Sequence, residues 1–150
     1  MRYLIDTNIL LFLKTDGDEL DSDVWEMLED CENSILISSE SVREIATLLK
    51  NGKVRTNDWN TFSDIKTTLE KYNIEIRYVA EAHLKTLFKL DPAPGHSDPA
   101  DLMIISQAIA EGVHLISSDT KFPLYEKQGL KFIFNRRNAA RRKTVKAIKN

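Results

Sequence analysis

At 150 residues, 42% apolar and 29% charged with a formal charge of -2, the chain has room for one domain with a real core and the composition of an ordinary globular protein, which excludes disordered and fibrous classes. The apolar run at 9–13 follows Asp6 and Asn8, lacks a small-residue cleavage site and is far shorter than the ~20 residues that cross a bilayer, so no signal peptide or membrane span is expected and the chain is placed in the cytoplasm. Seven bases and no acid lie in residues 136–150, leaving 14 bases against 23 acids in residues 1–135, so an acidic body carries a basic tail.

Taken in order, five β-rich runs alternate with helical patterns, which points to a parallel sheet covered by helices. The first run is Arg2-Tyr3-Leu4-Ile5-Asp6. A helix capped by Ser22 or Asp23 follows to about Cys31, with Val24, Met27 and Leu28 on one face. After the run at 34–38, Ser39 or Ser41 starts a helix whose Val42, Ile45, Leu48 and Leu49 recur at helical spacing until Asn51-Gly52 stops it. A helix at 59–72, a strand at 74–79 and a helix at 81–90 come next. Residues 91–95 form a loop, because two prolines and a glycine do not continue a helix. Pro99 suits the first turn of a helix over 100–110 that Gly112 ends, and strands at 113–117 and 131–134 complete the body.

The residues that carry chemistry are acids. Asp6 ends the first strand, so its carboxylate is expected at the carboxyl edge of the sheet, where open α/β sheets keep their ligands; an N-cap is the structural alternative. Glu44 borders the buried stripe of its helix, a costly place for an acid unless it is paired, for instance with Arg43 or Arg2, or bound to metal. Asp101 opens a helix that is apolar nearly all round, where a role with the helix dipole is compatible with metal binding; Asp98 is the expected cap or a supporting neighbour. Asp119, in Ser117-Ser118-Asp119, again follows a strand, and turn formation explains it equally well; Ser117 or Ser118 could steady a carboxylate or a water. Individually each acid has a structural explanation. Together, three of the four fall on one edge, and crowded carboxylates raise one another's pKa unless a cation neutralises them. All-oxygen ligands select magnesium or manganese over zinc.

Asp6-Thr7-Asn8, Arg43-Glu44-Ile45-Ala46, His96-Ser97-Asp98-Pro99-Ala100-Asp101 running into Leu102-Met103-Ile104-Ile105-Ser106-Gln107-Ala108, and Glu111-Gly112-Val113 before Ser117-Ser118-Asp119 together resemble the PIN domain, specifically its VapC-type toxin branch. The resemblance spans about residues 1–134 in the right order. It implies a three-layer α/β/α sandwich with a central parallel sheet of four or five strands. It implies a metal-dependent endoribonuclease, with Asp6, Glu44, Asp101 and Asp119 holding magnesium or manganese and Asn8 bracing the site. It further implies the toxin of a type II toxin–antitoxin pair, an antitoxin partner and a homodimer. The chain departs from the branch at Ala100 and Leu102, where an aromatic and a basic residue are usual. An RNA-processing PIN ribonuclease without an antitoxin and a non-catalytic RNA- or protein-binding scaffold are the alternatives. Phosphotransfer fits less well: a site resembling haloacid dehalogenases wants an acid where Asn8 stands, and a receiver-like domain wants its aspartate at the third strand.

A nuclease domain over 1–135 and a basic tail over 136–150 are the expected divisions; the tail reads as a short cationic helix that binds RNA or as a solvated end. His83, His96 and His114 have no partner spacing and are expected to stay outside the chemistry. Trp25 and Trp59 read as core or interface, the apolar residues of the helices at 23–31 and 41–50 as core or a partner surface, and the lone Cys31 as a partly buried small hydrophobe.

Overall fold

Alternation inside the short apolar runs divides the molecule into layers. In the computed structural model, which describes residues 1–138, β1 (Arg2–Ile5), β2 (Ser34–Ser38), β3 (Ile74–Arg77), β4 (His114–Ser117) and β5 (Lys131–Phe134) form one all-parallel sheet in the order β3-β2-β1-β4-β5. The register sets Leu4 opposite Leu36 on one side and Leu115 on the other. With a side-chain period of two, these leucines share a face, while Tyr3, Ile5, Ile35, Ile37 and Ile116 share the opposite one.

Each face is covered. The isoleucine face packs on α1 (Thr7–Thr15), α2 (Ser22–Glu29), α4 (Phe62–Lys71) and Ile45 of α3 (Ser39–Lys50); the leucine face packs on α6 (Pro99–Glu111) and a 3-10 segment, Phe122–Gln128, with α5 (Glu81–Lys89) against α6. This is the expected α/β/α sandwich, with five strands. Fully buried side chains such as Ile5 and Ile104 each contribute about 1.5–3 kcal/mol. The chain runs outward from β1 to β3, then returns through α5 and α6 to place β4 on the other flank of β1. Strand order therefore reverses between β1 and β4, and the carboxyl ends of those strands open the crevice in which α/β sheets bind ligands. The Asp6 N–H donates to the Ile116 carbonyl at 2.9 Å, closing the sheet there.

Several boundaries differ from expectation. The apolar run at 9–13 is no isolated stretch but the body of α1, whose Ile9, Leu10 and Leu13 enter the core. Asp21, one residue earlier than expected, caps α2 by accepting the Val24 N–H at 2.9 Å. α3 starts at Ser39, one of the two starts expected, with Ser38 as its cap. The helix expected from Trp59 starts at Phe62, because Thr61 and Asp64 form a capping box; Trp59 precedes it, buried, with its indole N–H donating to Thr68. β3 ends at Arg77, short of Val79. α2 ends at Glu29, so Cys31 sits in the following turn and is exposed rather than partly buried. Pro99 at the start of α6 and a left-handed Gly112 (φ 64°) at its end match expectation.

Val24 and Ile45 enter the core, and Trp25, Met27, Leu28 and Leu49 are partly buried against it. Large exposed apolar side chains occur instead at Phe62, Tyr78, Leu84, Phe88, Leu124 and Phe134. Beyond β5 the chain is clasped: buried Asn135 donates to the Glu19 carbonyl and Ser118 Oγ and accepts the Asp21 N–H, and Arg137 pairs with Glu19 at 2.6 Å over the Phe12 ring. The cationic-helix reading of the tail and its bases Arg141, Arg142, Lys143, Lys146 and Lys149 lie outside the described residues. No helix among the described residues is long and apolar enough to cross a membrane.

Candidate active site

Asp6 is the first residue past β1 and also the N-cap of α1. Both roles assigned to it from the sequence therefore coexist. Its Oδ1 accepts the Thr7 N–H at 2.8 Å and its Oδ2 accepts the Ser117 hydroxyl at 2.6 Å. The carboxyl is almost wholly buried, and burial pushes its pKa from 3.8 up to about 7; the two hydrogen bonds oppose the rise, while Asp101 and Glu44 add to it by repulsion.

Glu44 lies one turn into α3 and is half-buried. Neither suggested arginine pairs with it: Arg43 binds Glu40 and Arg2 binds Glu111. Its Oε2 instead accepts the Thr7 hydroxyl at 3.0 Å, and the Ser41 hydroxyl lies 2.9 Å from the same Thr7 oxygen. Burial raises the Glu44 pKa, with Asp101 and Asp98 contributing by repulsion against the lowering effect of Thr7.

Asp101 stands in the first turn of α6. Burial raises its pKa, His96 opposes the rise through a hydrogen bond of 3.1 Å to Oδ2, and Asp98 and Asp119 raise it further. Asp98 caps the helix, accepting the Ala100 N–H at 2.9 Å and the Asp101 N–H at 3.3 Å. Asp119 forms the turn after β4: its N–H donates to Ser117 Oγ at 3.0 Å, and its Oδ1 accepts the Lys121 N–H at 2.8 Å. Ser117 thus links Asp6 to Asp119. Ser118 turns to Asn135, away from the acids.

Asp6, Glu44, Asp101 and Asp119 accordingly come from four elements into one electrostatic neighbourhood at the reversal of strand order. Among the described residues no three His, Cys, Asp or Glu side chains already form a metal-holding set. The neighbourhood is not a finished coordination sphere. Its chemistry nevertheless suits a hard cation: the donors are carboxylate oxygens, burial disfavours the charge of Asp6, Glu44 and Asp101, and Asn8 in the first turn of α1 keeps a buried Oδ1 with no hydrogen-bond partner.

Thr7, Ser41, His96 and Tyr125 were not marked as site residues by the sequence. Thr7 reaches Glu44 across 37 positions, and no local pattern announces such a bond. His96 offered one signal, its place five residues before Asp101 in a proline-broken loop. Leu102, where the VapC-type branch usually has a basic residue, packs on the leucine-side core.

A model of the PIN domain matches residues 3–128. No curated protein matches the sequence. Among solved structures, VapBC2 from Rickettsia felis, bound to a DNA fragment from its promoter, superposes with a TM-score of 0.64 at 20% identity, covering 90% of this chain and 99% of the other. VapBC-1 from nontypeable Haemophilus influenzae gives 0.62 at 19% identity, covering 89% and 98%. VapBC-5 from Mycobacterium tuberculosis, described as a member of the VapBC family of toxin-antitoxin systems, gives 0.58 at 15% identity, covering 90% and 98%. At these identities the likeness is one of fold.

Proposed function

The chain belongs to the PIN domain family, and on that premise we propose that it is a magnesium- or manganese-dependent endoribonuclease, the VapC-type toxin of a type II toxin–antitoxin pair. The observation that carries this reading is the buried Asp6, flanked by Glu44 and Asp101 and linked through Ser117 to Asp119 at the switch point of the sheet. Asp101 and Glu44 raise the pKa of Asp6, and Asp119 that of Asp101; such repulsion weakens the free protein, and a divalent cation removes it. The residues that would hold it are Asp6, Glu44, Asp101 and Asp119.

Held there, magnesium or manganese would acidify water and offset the charge developing on the phosphoryl and leaving oxygens. The chain's own contribution is positioning. Ser117 and the Thr7 amide fix the Asp6 carboxylate, the Thr7 hydroxyl fixes Glu44, and Asp98 seats the first turn of α6. The donor set includes no thiolate, and the assignment requires no histidine or serine nucleophile. A protein antitoxin is part of the proposal, supported by the VapBC fold neighbours, and so is self-association as a homodimer, for which the exposed Leu84 and Phe88 on α5 offer apolar surface.

The purified chain should cleave single-stranded RNA with magnesium or manganese and lose that activity in EDTA. Asp101→Asn should abolish cleavage while keeping the far-ultraviolet circular dichroism of the parent. Undiminished cleavage by both Asp6→Asn and Asp101→Asn would overturn the assignment.

A further inference from the structure

We propose that His96 is a positioning residue for Asp101, held in a single tautomer by Tyr125 so that it presents one N–H to the Asp101 carboxylate. The inference rests on the proposed role of Asp101 as a metal ligand and assigns the group that orients it.

The loop between α5 and α6 is fastened to the 3-10 segment at two points. Asp91 and Gln128 exchange hydrogen bonds of 2.9 and 2.8 Å, and the Ala93 N–H donates to the Tyr125 hydroxyl at 2.9 Å. The Ala93 carbonyl then accepts the His96 N–H at 2.9 Å, turning the imidazole inward. His96 is buried, edge-on to the fully buried Tyr125 ring at 5.4 Å and near Phe122 at 6.1 Å. Its Nδ1 lies 2.7 Å from the Tyr125 oxygen, and its Nε2 lies 3.1 Å from Asp101 Oδ2.

Donors and acceptors decide where the imidazole proton sits. The Tyr125 oxygen already accepts from Ala93, so its own buried O–H needs an acceptor, and Nδ1 is the one beside it. Nδ1 then serves as that acceptor, which in the neutral imidazole puts the hydrogen on Nε2, facing the carboxylate. The sequence of bonds is complete: Ala93 N–H to Tyr125, Tyr125 O–H to Nδ1, Nε2–H to Asp101. A carboxylate with one oxygen held this way has a fixed plane, and the position of Oδ1 follows from it. Ligating carboxylates are commonly oriented by such outer hydrogen bonds, whose loss costs roughly 10–100-fold in metal affinity or activity. α6 contains no Lys, Arg or His that could serve instead.

The test measures binding of manganese alone to the full chain by electron paramagnetic resonance, with imidazole tautomers read from nitrogen-15 NMR. Wild type should show His96 protonated at Nε2. His96→Leu, which keeps bulk and loses the donor, should bind manganese about tenfold or more weakly. His96→Gln, which can still offer an N–H to Asp101, should stay within about threefold, a rescue that a merely space-filling role does not produce. Wild-type affinity in a folded His96→Leu, equal weakening by Leu and Gln, or a proton on Nδ1 would each overturn the proposal. Should His96→Leu fail to fold, Tyr125→Phe carries the test: a redistributed tautomer with weakened manganese binding is expected, and an unchanged tautomer and affinity would refute it. Asp101→Asn separates the two levels. If it binds manganese as wild type does, the metal reading itself fails; if it loses manganese while His96→Leu keeps it, only the role of His96 fails.

Discussion

Replacing Asp6 by Asn isolates what it costs to bury one carboxyl at the sheet edge. Burial holds Asp6 protonated up to about pH 7, whereas the unfolded chain loses that proton near 3.8. Between these values the folded state binds a proton that the unfolded state has released, so stability falls as pH rises through the window and levels off above it. At about 1.4 kcal/mol per unit, the loss reaches on the order of 4 kcal/mol. Asn keeps the shape, still accepts the Thr7 N–H, and can donate to the Ser117 oxygen, which then reverses its role. In EDTA, Asp6→Asn should match wild type near pH 4 and exceed it by about 2–4 kcal/mol at pH 7.5, raising the melting temperature on the order of 10 °C. Urea melts from pH 4 to 8 give both curves, and the contributions of Glu44 and Asp101, whose pKa values are also raised, largely cancel in the difference. Curves that run parallel over the window would refute the account. The same variant should lose manganese-dependent stabilisation together with cleavage, becoming more stable and inactive at once.

Further outcomes follow from the same contacts. Ser117→Ala removes a hydrogen bond that lowers the Asp6 pKa and strands the Asp119 N–H; it should destabilise by about 1–3 kcal/mol at pH 8 in chemical melts and shift the pH-dependent loss of stability upward. Asn135→Ala unfastens the chain after β5 and leaves the Glu19 carbonyl and the Asp21 N–H without their partner; a loss of about 3 kcal/mol is expected, with cleavage retained well below the melting temperature. Deleting residues 139–150 removes five of the seven tail bases. On an Asp101→Asn background it should weaken single-stranded RNA binding and flatten the salt dependence of log K by up to about 3.5, as read by fluorescence anisotropy.

The strands and the sheet edge were legible because their signals are local: short β-branched runs, Asp6 directly after one and Asp119 two residues beyond another. Pro99 and Gly112 likewise announce α6 through their backbone constraints. α1 was not legible. Its continuous apolar residues carry no polar face from which a period can be read, since Leu11 and Phe12 also pack on the core. The capping of α2 shifted by a residue because Ser and Asp crowd its start and tertiary contacts choose among them. The contacts that steady the acids were hidden for another reason: Thr7 to Glu44, Ser117 to Asp6 and Tyr125 to His96 join residues far apart in sequence, and a hydroxyl that will orient a carboxylate looks like any surface hydroxyl until the sheet is assembled.

The bond between Ser117 and Asp6 spans 111 positions, and it also sets a schedule. Domains assemble as their residues emerge from the ribosome, yet β1, made first, waits in the centre of the sheet for β4 on one flank. Until then the Asp6 carboxyl lacks its Ser117 donor, Asp119 does not exist, and the crevice between β1 and β4 has only one wall. A chain interrupted before that point carries most of the acids and none of the site. Under the proposed function, cleavage waits until β4 and Asp119 have been made and β4 has docked beside β1.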